Sequence, residues 1–134
     1  MPPSDLPDPG GAARALGIEL QEASRERAIA SIDIGERHLG PDGALDGGVL
    51  ISLSWAAARA GACFNRSPSR ATRPSGLDAR HPRPARAGQT LTATATPLYV
   101  GLDRQLWEVE VRDEGGSLVC ACRCDFGPEP GQTR

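Results

Sequence analysis

The sequence contains no lysine, so arginine supplies all 15 of its permanently basic side chains. Acidic residues number 17, and the resulting net charge of −2 argues against general nucleic-acid binding, which requires a basic surface. Arginine as the sole strong cation, together with abundant alanine, glycine and proline, is typical of a bacterial protein encoded by a GC-rich genome.

Long apolar runs are also absent, and none approaches the roughly 20 residues that a transmembrane helix needs. Residues 1–11 lack both the basic and the apolar stretch of a signal peptide. We therefore expect a cytoplasmic protein with reduced cysteines and no membrane partner. The length of 134 residues suits one domain. Composition assigns residues 12–126 to that domain, 1–11 to a flexible N-terminal arm and 127–134 to a C-terminal tail.

Aromatic residues are few, five in all, so the core must depend on small aliphatic side chains. Three of the four cysteines, Cys120, Cys122 and Cys124, alternate along a predicted strand and share a face with Leu118 and Phe126. Side chains two positions apart on a strand lie about 7 Å from each other, which disfavours a disulfide. We interpret these cysteines as small core residues and predict no metal site, with metal or redox chemistry as the alternative.

The apolar spacing predicts an α+β fold in which an antiparallel sheet wraps around one central helix. The helix, residues 47–65, is rich in alanine, and Arg59 is the single charge in its interior. In chain order, the other predicted segments are a hairpin (17–34), a polar loop (35–46), a second polar loop (66–76), a short extended piece (77–81) and three strands (90–100, 106–112 and 117–126). The open sheet edges favour pairing with another subunit.

Three motifs, in this order, resemble one protein family. The first reads His38-Leu-Gly-Pro-Asp-Gly-Ala-Leu-Asp-Gly-Gly48 and continues into the helix. The second reads Arg83-Pro-Ala-Arg-Ala-Gly-Gln-Thr-Leu91, and the third reads Trp107-Glu-Val-Glu-Val-Arg-Asp-Glu-Gly-Gly-Ser-Leu-Val119. Together they are similar to the phenylacetate-degradation-type (PaaI-like) acyl-CoA thioesterases of the hotdog-fold superfamily.

This resemblance implies hydrolysis of an acyl- or aroyl-CoA thioester by a homodimer or homotetramer, with coenzyme A thioester as substrate or ligand and no further cofactor. In the family, the amide at the Gly48 position is implied to bind the thioester oxygen as an oxyanion hole. The residues give an independent reason, because the first N–H groups of a helix lack intrahelical partners and carry positive potential. The alternative is a plain glycine helix start, with Gly47 and Gly48 allowing tight packing.

The sequence departs from the family at the positions that carry its chemistry. The loop of the family usually reads His-Leu-Asn-Pro-His-Gly-x-x-His-Gly-Gly, whereas Gly40, Asp42 and Asp46 stand here in place of its Asn and its two later His residues. Many members carry an Asp or Glu on the central helix as nucleophile or general base, and Trp55 occupies that position here. An indole has no basic lone pair, so Trp55 cannot perform that role.

Three residues are candidates for a relocated acid–base group. Asp46, directly before the glycine pair, either activates water or caps the helix. Asp78, on the strand that leads into the Arg83-Pro84 motif, is a second candidate for the acid–base group. The alternative is a solvent-facing charge on that strand. His81, one of only two histidines, is a candidate base or substrate contact, or a surface residue. His38 is expected to be structural.

Further residues are candidates for substrate binding. Trp55 either fills the core or forms a wall of the acyl pocket. Gly40 and Gly47 border the expected site. Seven arginines lie between residues 59 and 86, and among them Arg83 and Arg86 suit the phosphates of coenzyme A, with solvated loop residues as the alternative.

These observations leave two principal hypotheses. One is a hotdog thioesterase with an atypical active site. The other is a catalytically silent or repurposed hotdog protein that binds an acyl thioester or a related metabolite, or supports other chemistry such as isomerisation or dehydration.

Overall fold

One helix of 16 residues lies across a six-stranded antiparallel sheet in the computed structural model, which describes residues 6–65 and 72–128. The elements are α1 (Gly11–Leu16), β1 (Glu19–Ala23), β2 (Ala28–Asp33), a 3-10 turn (Glu36–His38), α2 (Gly47–Ala62), β3 (Thr72–Arg80), β4 (Thr90–Val100), β5 (Gln105–Arg112) and β6 (Leu118–Pro128). The strand order is β1-β2-β4-β5-β6-β3, and this architecture confirms the predicted fold class.

Small side chains allow α2 to lie close to the sheet. Ala28 and Ala30 on β2, and Ala93 and Ala95 on β4, are fully buried beneath the helix. The ring of Trp107 on β5 packs directly on the helix backbone at Gly61, where a Cβ atom would lie 2.6 Å from the indole Cζ3. An alanine-rich helix therefore packs on an alanine-rich sheet, with the indole filling the remaining volume.

Two predicted boundaries were wrong by three or more residues, and the last strand runs to Pro128 rather than to residue 126. The strand expected at residue 77 begins at Thr72, so residues 73–76 are not loop. Pro74 is tolerated in β3 because this is an edge strand, where a missing N–H costs no ladder bond on the open side. The predicted helix end at residue 65 is also too late, because α2 ends at Ala62. The rest of the predicted loop, residues 66–71, lies outside the described residues.

The cysteine face of β6 differs from the prediction at its first residue. Cys120, Cys122 and Cys124 are buried, as predicted. A register shift beside Val119 places Leu118 opposite Arg112, which is exposed, and Cys120 opposite the buried Val111. Leu118 therefore lies on the other face of the sheet, because opposed residues in a ladder share a face and the extra residue of a bulge reverses the alternation.

The thiols also lie closer together than the alternation suggested. The Sγ atoms of Cys122 and Cys124 are 3.8 Å apart, without a disulfide. Burial, and secondarily the neighbouring Cys122, raises the pKa of Cys120 to about 11, against the opposing effect of the Ser54 hydroxyl on α2. Among the described residues, no group of histidine, cysteine and acidic side chains is arranged to hold a metal ion.

The N-terminal segment is described from Leu6, and that part lies against the domain. Leu6 packs on the hydrophobic core, and Pro7, Asp8 and Pro9 border hollows beside α2 and β1. Within the described ranges, no helix has both the length and the apolar character needed to cross a bilayer.

Candidate active site

A cleft of about 390 Å³ opens at the N-terminal end of α2. It is lined by Leu45, Gly47, Leu50, His81, Arg83, Pro84 and Ala85. Three of the predicted site residues, Gly47, His81 and Arg83, therefore come together although they are far apart in the chain. The C-terminal end of β3 carries the chain over the start of the helix, and this non-local packing forms the cleft.

Buried His38 fixes the loop that precedes α2. Its Nδ1 accepts a hydrogen bond of 2.9 Å from the Gly35 N–H, which leaves Nε2 to donate to the Leu16 carbonyl at 2.7 Å. These partners assign the neutral Nε2–H tautomer. The carbonyl of His38 accepts the Asp46 N–H at 2.9 Å, so the histidine links α1 to the residue that begins the helix. This agrees with the structural role expected for His38.

Asp46 is the N-cap of α2. Its backbone is extended, and its carboxylate accepts a hydrogen bond of 2.8 Å from the Gly48 N–H. This is the amide to which the family resemblance assigns the thioester oxygen, so the structure has an internal carboxylate at the expected oxyanion position. Among the described residues, no hydrogen bond acceptor contacts the Gly47 N–H. The donor that is open at the helix start is therefore one residue earlier than predicted.

The imidazole of His81 lies directly over Gly47. A Cβ atom at Gly47 would be 3.8 Å from both Cε1 and Nε2 of His81, so the ring and the helix start are in close proximity. His81 is exposed at the mouth of the cleft. Its position brings a titratable nitrogen beside an open backbone donor, which is the pairing that acyl-transfer chemistry requires.

The other predicted site residues lie elsewhere. Asp78 is exposed, faces Arg123 on the outer surface of the sheet, and lies 3.5 Å from Arg80. Gly40 is part of a tight loop in which its N–H donates to the Ala44 carbonyl. Arg86 has an exposed side chain, and its N–H donates to Gln89. Asp78, Gly40 and Arg86 are therefore not among the residues that line the cleft. Arg66 and Arg70, two of the seven arginines between residues 59 and 86, lie outside the described residues.

Trp55 lies on α2, two turns beyond the glycine pair. It is half-buried, and its ring meets Phe126 edge to face with centroids 5.3 Å apart and an interplanar angle of 75°. It lines a separate hollow together with Arg59 and the residues around α1. From the sequence, Arg59 is the single charge inside the helix and one of seven arginines between residues 59 and 86, and it was not linked to Trp55. Its place beside Trp55 follows from their i, i+4 spacing, a signal that was available.

Comparison with known proteins places this architecture in a family. The model of the thioesterase superfamily matches residues 47–120. A 1,4-dihydroxy-2-naphthoyl-CoA hydrolase of Listeria monocytogenes (serotype 1/2a, strain 10403S) is 32% identical over 85% of this chain and 92% of the relative. The crystal structure of a Haemophilus influenzae thioesterase superposes with a TM-score of 0.81 at 28% identity, over 89% of this chain and 82% of the other.

The E. coli PaaI protein from the phenylacetic acid degradation operon superposes with a TM-score of 0.77 at 25% identity, over 86% of each chain. These matches agree with the six-stranded sheet and the single long helix. The chain therefore belongs to the thioesterase superfamily, as a thioester hydrolase with the hotdog fold of the PaaI-like type.

Proposed function

We propose that the protein hydrolyses the thioester bond of an acyl- or aroyl-CoA in the cleft beside Gly47, with His81 as the general base. The observation that carries this proposal is the place of the His81 imidazole at the open end of α2. Its Cε1 and Nε2 lie 3.8 Å from the point that a Cβ atom on Gly47 would occupy. An indole at position 55 offers no acid–base group there, and Asp78 points to the outer surface of the sheet. His81 is therefore the candidate base best placed for the cleft.

The reaction uses the helix start to stabilise charge. The Gly47 N–H and the positive end of the helix dipole polarise the thioester carbonyl, and His81 takes a proton from a water molecule as its oxygen attacks the carbonyl carbon. The tetrahedral oxyanion then collapses, the carbon–sulfur bond breaks, and the imidazolium returns a proton to the leaving thiolate. The products are a carboxylic acid and free coenzyme A.

Asp46 adds a condition to this mechanism. A second donor to the oxyanion, the Gly48 N–H, becomes available only when the Asp46 carboxylate rotates away from it. The substrate carbonyl and the N-cap therefore compete for one amide. The single open donor at Gly47 remains accessible without this rearrangement.

Arginines beside the cleft suit the phosphates of coenzyme A. Arg83 lines the cleft. Arg80 and Arg86, which come three residues before and after Arg83 in the sequence, are exposed. A guanidinium binds phosphate through two parallel hydrogen bonds, and its charge does not titrate at neutral pH. The proposal requires no metal or other cofactor.

The proposal also includes a homodimeric or homotetrameric assembly in the cytoplasm, where acyl-CoA substrates occur. Its basis is the sheet, since β1 and β3 each have only one neighbouring strand in the described chain. A long edge strand with unpaired backbone groups is ordinarily covered by another chain or protected.

The test is release of free thiol from a panel of acyl- and aroyl-CoA esters by the wild type and by His81→Gln, Asp46→Asn and Asp78→Asn. We expect His81→Gln to lower kcat by about 10²–10⁴-fold, the usual contribution of a positioned acid or base. Added imidazole should restore part of the rate. Loss of turnover in Asp78→Asn, with His81→Gln active, would overturn the assignment of the base.

A silent binding protein is the second candidate, and one observation favours it. The Asp46 carboxylate already occupies the Gly48 donor, at the position where the resemblance places the thioester oxygen. Binding of CoA esters without thiol release across the whole panel would establish this alternative.

A further inference from the structure

Two buried thiols on β6 lie closer together than the spacing of a strand requires. Side chains two positions apart on a strand are ordinarily about 7 Å from each other, whereas the Sγ atoms of Cys122 and Cys124 are 3.8 Å apart. The strand itself keeps a regular register here, with Val109 opposite Cys122 and Trp107 opposite Cys124. The short distance therefore comes from the two side chains, which lean toward each other.

The contact between the two thiols makes them chemically unequal. The hydrogen bond with Cys124 lowers the pKa of Cys122, against the opposing effect of burial. The same hydrogen bond, together with burial, raises the pKa of Cys124. The thiolate is the reactive form of cysteine, and a neighbouring thiol that stabilises it makes that sulfur the nucleophile of the pair. Cys122 is therefore the sulfur that ionises first, and Cys124 is the one that keeps its proton.

Cys122 also borders a hollow of about 220 Å³ on the outer side of the sheet. The lining of this hollow consists of Asp78, Arg80, Glu108, Ala121, Cys122 and Arg123. A molecule the size of hydrogen peroxide fits such a space, since one water molecule occupies about 30 Å³. Cys122 itself is only 2% exposed, which excludes larger thiol reagents. The position therefore favours a small oxidant over a bulky one.

We propose that Cys122 and Cys124 form a redox-active dithiol, which hydrogen peroxide oxidises to an intramolecular disulfide. The Cys122 sulfur attacks one peroxide oxygen, so an S–O bond forms and the O–O bond breaks, and the leaving oxygen takes up the Cys122 proton as water. The Cys124 sulfur then attacks the resulting sulfenic acid, so the S–S bond forms, the S–O bond breaks, and a second water leaves with the Cys124 proton. The two thiols lose two electrons, which the peroxide gains. This reaction does not involve the Gly47 cleft and does not depend on the proposed hydrolysis.

The test is oxidation of the folded, full-length protein with hydrogen peroxide, followed by alkylation in denaturant, trypsin digestion and mass spectrometry. Trypsin cleaves after Arg123, which places the two cysteines on separate peptides, residues 113–123 and 124–134. We expect a disulfide to hold these peptides together until a reductant releases them, and the free thiols per chain to fall from four to two. Absence of the linked peptides, or a link that forms only in urea, would overturn the proposal. This comparison uses only the wild type and so is independent of any effect of substitution on folding.

Variants then assign the roles of the two sulfurs. Cys120→Ala is the matched control, because a bond from Cys120 to Cys124 would join the same two peptides; the link should persist in this variant. Cys124→Ala should leave Cys122 as a sulfenic acid that dimedone labels. Cys122→Ala should give at least about tenfold slower labelling, on Cys124, because each unit of higher pKa lowers the thiolate fraction about tenfold. Loss of the link in Cys120→Ala, or equal labelling rates in the other two variants, would overturn the proposal.

Discussion

The Gly48 N–H donates a hydrogen bond of 2.8 Å to the Asp46 carboxylate, two residues before it, at the start of the central helix. The family resemblance implies a histidine at the Asp46 position and a Gly48 amide that faces the thioester. In this chain Asp46 ends the loop before the helix, and its carboxylate accepts one of the helix's unpaired N–H groups. The cap therefore occupies the Gly48 N–H, the second donor that the proposed oxyanion could use, and substitutions of Asp46 measure what the cap contributes to stability.

Asp46→Ala should lower the free energy of unfolding by about 0.5–2 kcal/mol, because the cap is lost. Asp46→Ser should restore most of that stability, since serine is a comparably good N-cap without the charge. Urea denaturation monitored by circular dichroism measures both. Equal stabilities of the alanine and serine variants would show that the observed hydrogen bond contributes little to the helix.

The side chain of Gln105 links β5 to the end of α2. Its Nε2 donates to the Ala62 carbonyl at 3.0 Å, and its Oε1 accepts the Trp107 indole N–H at 2.8 Å. Gln105→Leu should cost about 1–3 kcal/mol, because it leaves the buried Trp107 indole N–H without a partner, whereas the Ala62 carbonyl keeps its hydrogen bond from the Asn65 N–H. The control is Gln21→Leu, which removes an exposed hydrogen bond to Ser31 and should change stability by less than about 0.5 kcal/mol. Thermal and urea unfolding of both variants give the comparison.

The alternation of apolar and polar residues predicted those strands whose burial follows the simple two-residue period. The strand at Thr90–Val100 alternates cleanly between buried and exposed side chains over its first half, and its predicted bounds are those observed. The β3 start was missed because Pro74 is tolerated only at an edge, and edge position is a property of the whole sheet. Leu118 was assigned to the wrong face because a bulge depends on the partner strand.

Some features of the candidate site could also be predicted from local sequence, and others depend on the packing of the whole chain. The capping role of Asp46 was available as an alternative from sequence, since Asp before a helix start is a strong local signal. The proximity of His81 to Gly47 was not, because it depends on where the end of β3 crosses the helix. The hollow beside Trp55 and Arg59 could not be predicted either, because it depends on how residues 9–13 pack on α2.

Gly61 should not tolerate a side chain, in contrast to most helical glycines. Alanine ordinarily stabilises a helix interior by about 0.5–1 kcal/mol relative to glycine. At Gly61, however, the added Cβ would lie 2.6 Å from Cζ3 of the fully buried Trp107, so Gly61→Ala should cost about 1–3 kcal/mol. Gly47→Ala is the matched control, since its Cβ would meet His81 at an ordinary 3.8 Å. It should leave the unfolding free energy nearly unchanged, and an equal loss in both variants would contradict the packing argument.

The buried thiol of Cys120 should make the protein less stable in alkaline solution. Burial raises its pKa from 9.0 to about 11 in the folded state, so the unfolded chain loses the proton first as the pH rises. The contribution of this thiol to stability is therefore complete below pH 9 and declines between pH 9 and 11. The chain has no lysine, so lysine side chains add nothing to the pH dependence in this interval.

Urea unfolding in the presence of a reductant, at intervals from pH 7 to 11, measures this decline. Cys120→Ala should be less stable than the wild type at pH 7, because the methyl group fills less of the core, but its stability should fall less steeply above pH 9. Cys63 and the Cys122–Cys124 pair are present in both proteins, so the difference between the two curves reports Cys120 together with its interaction with that pair. Parallel curves for the two proteins would show that the Cys120 thiol titrates alike in the folded and unfolded chains.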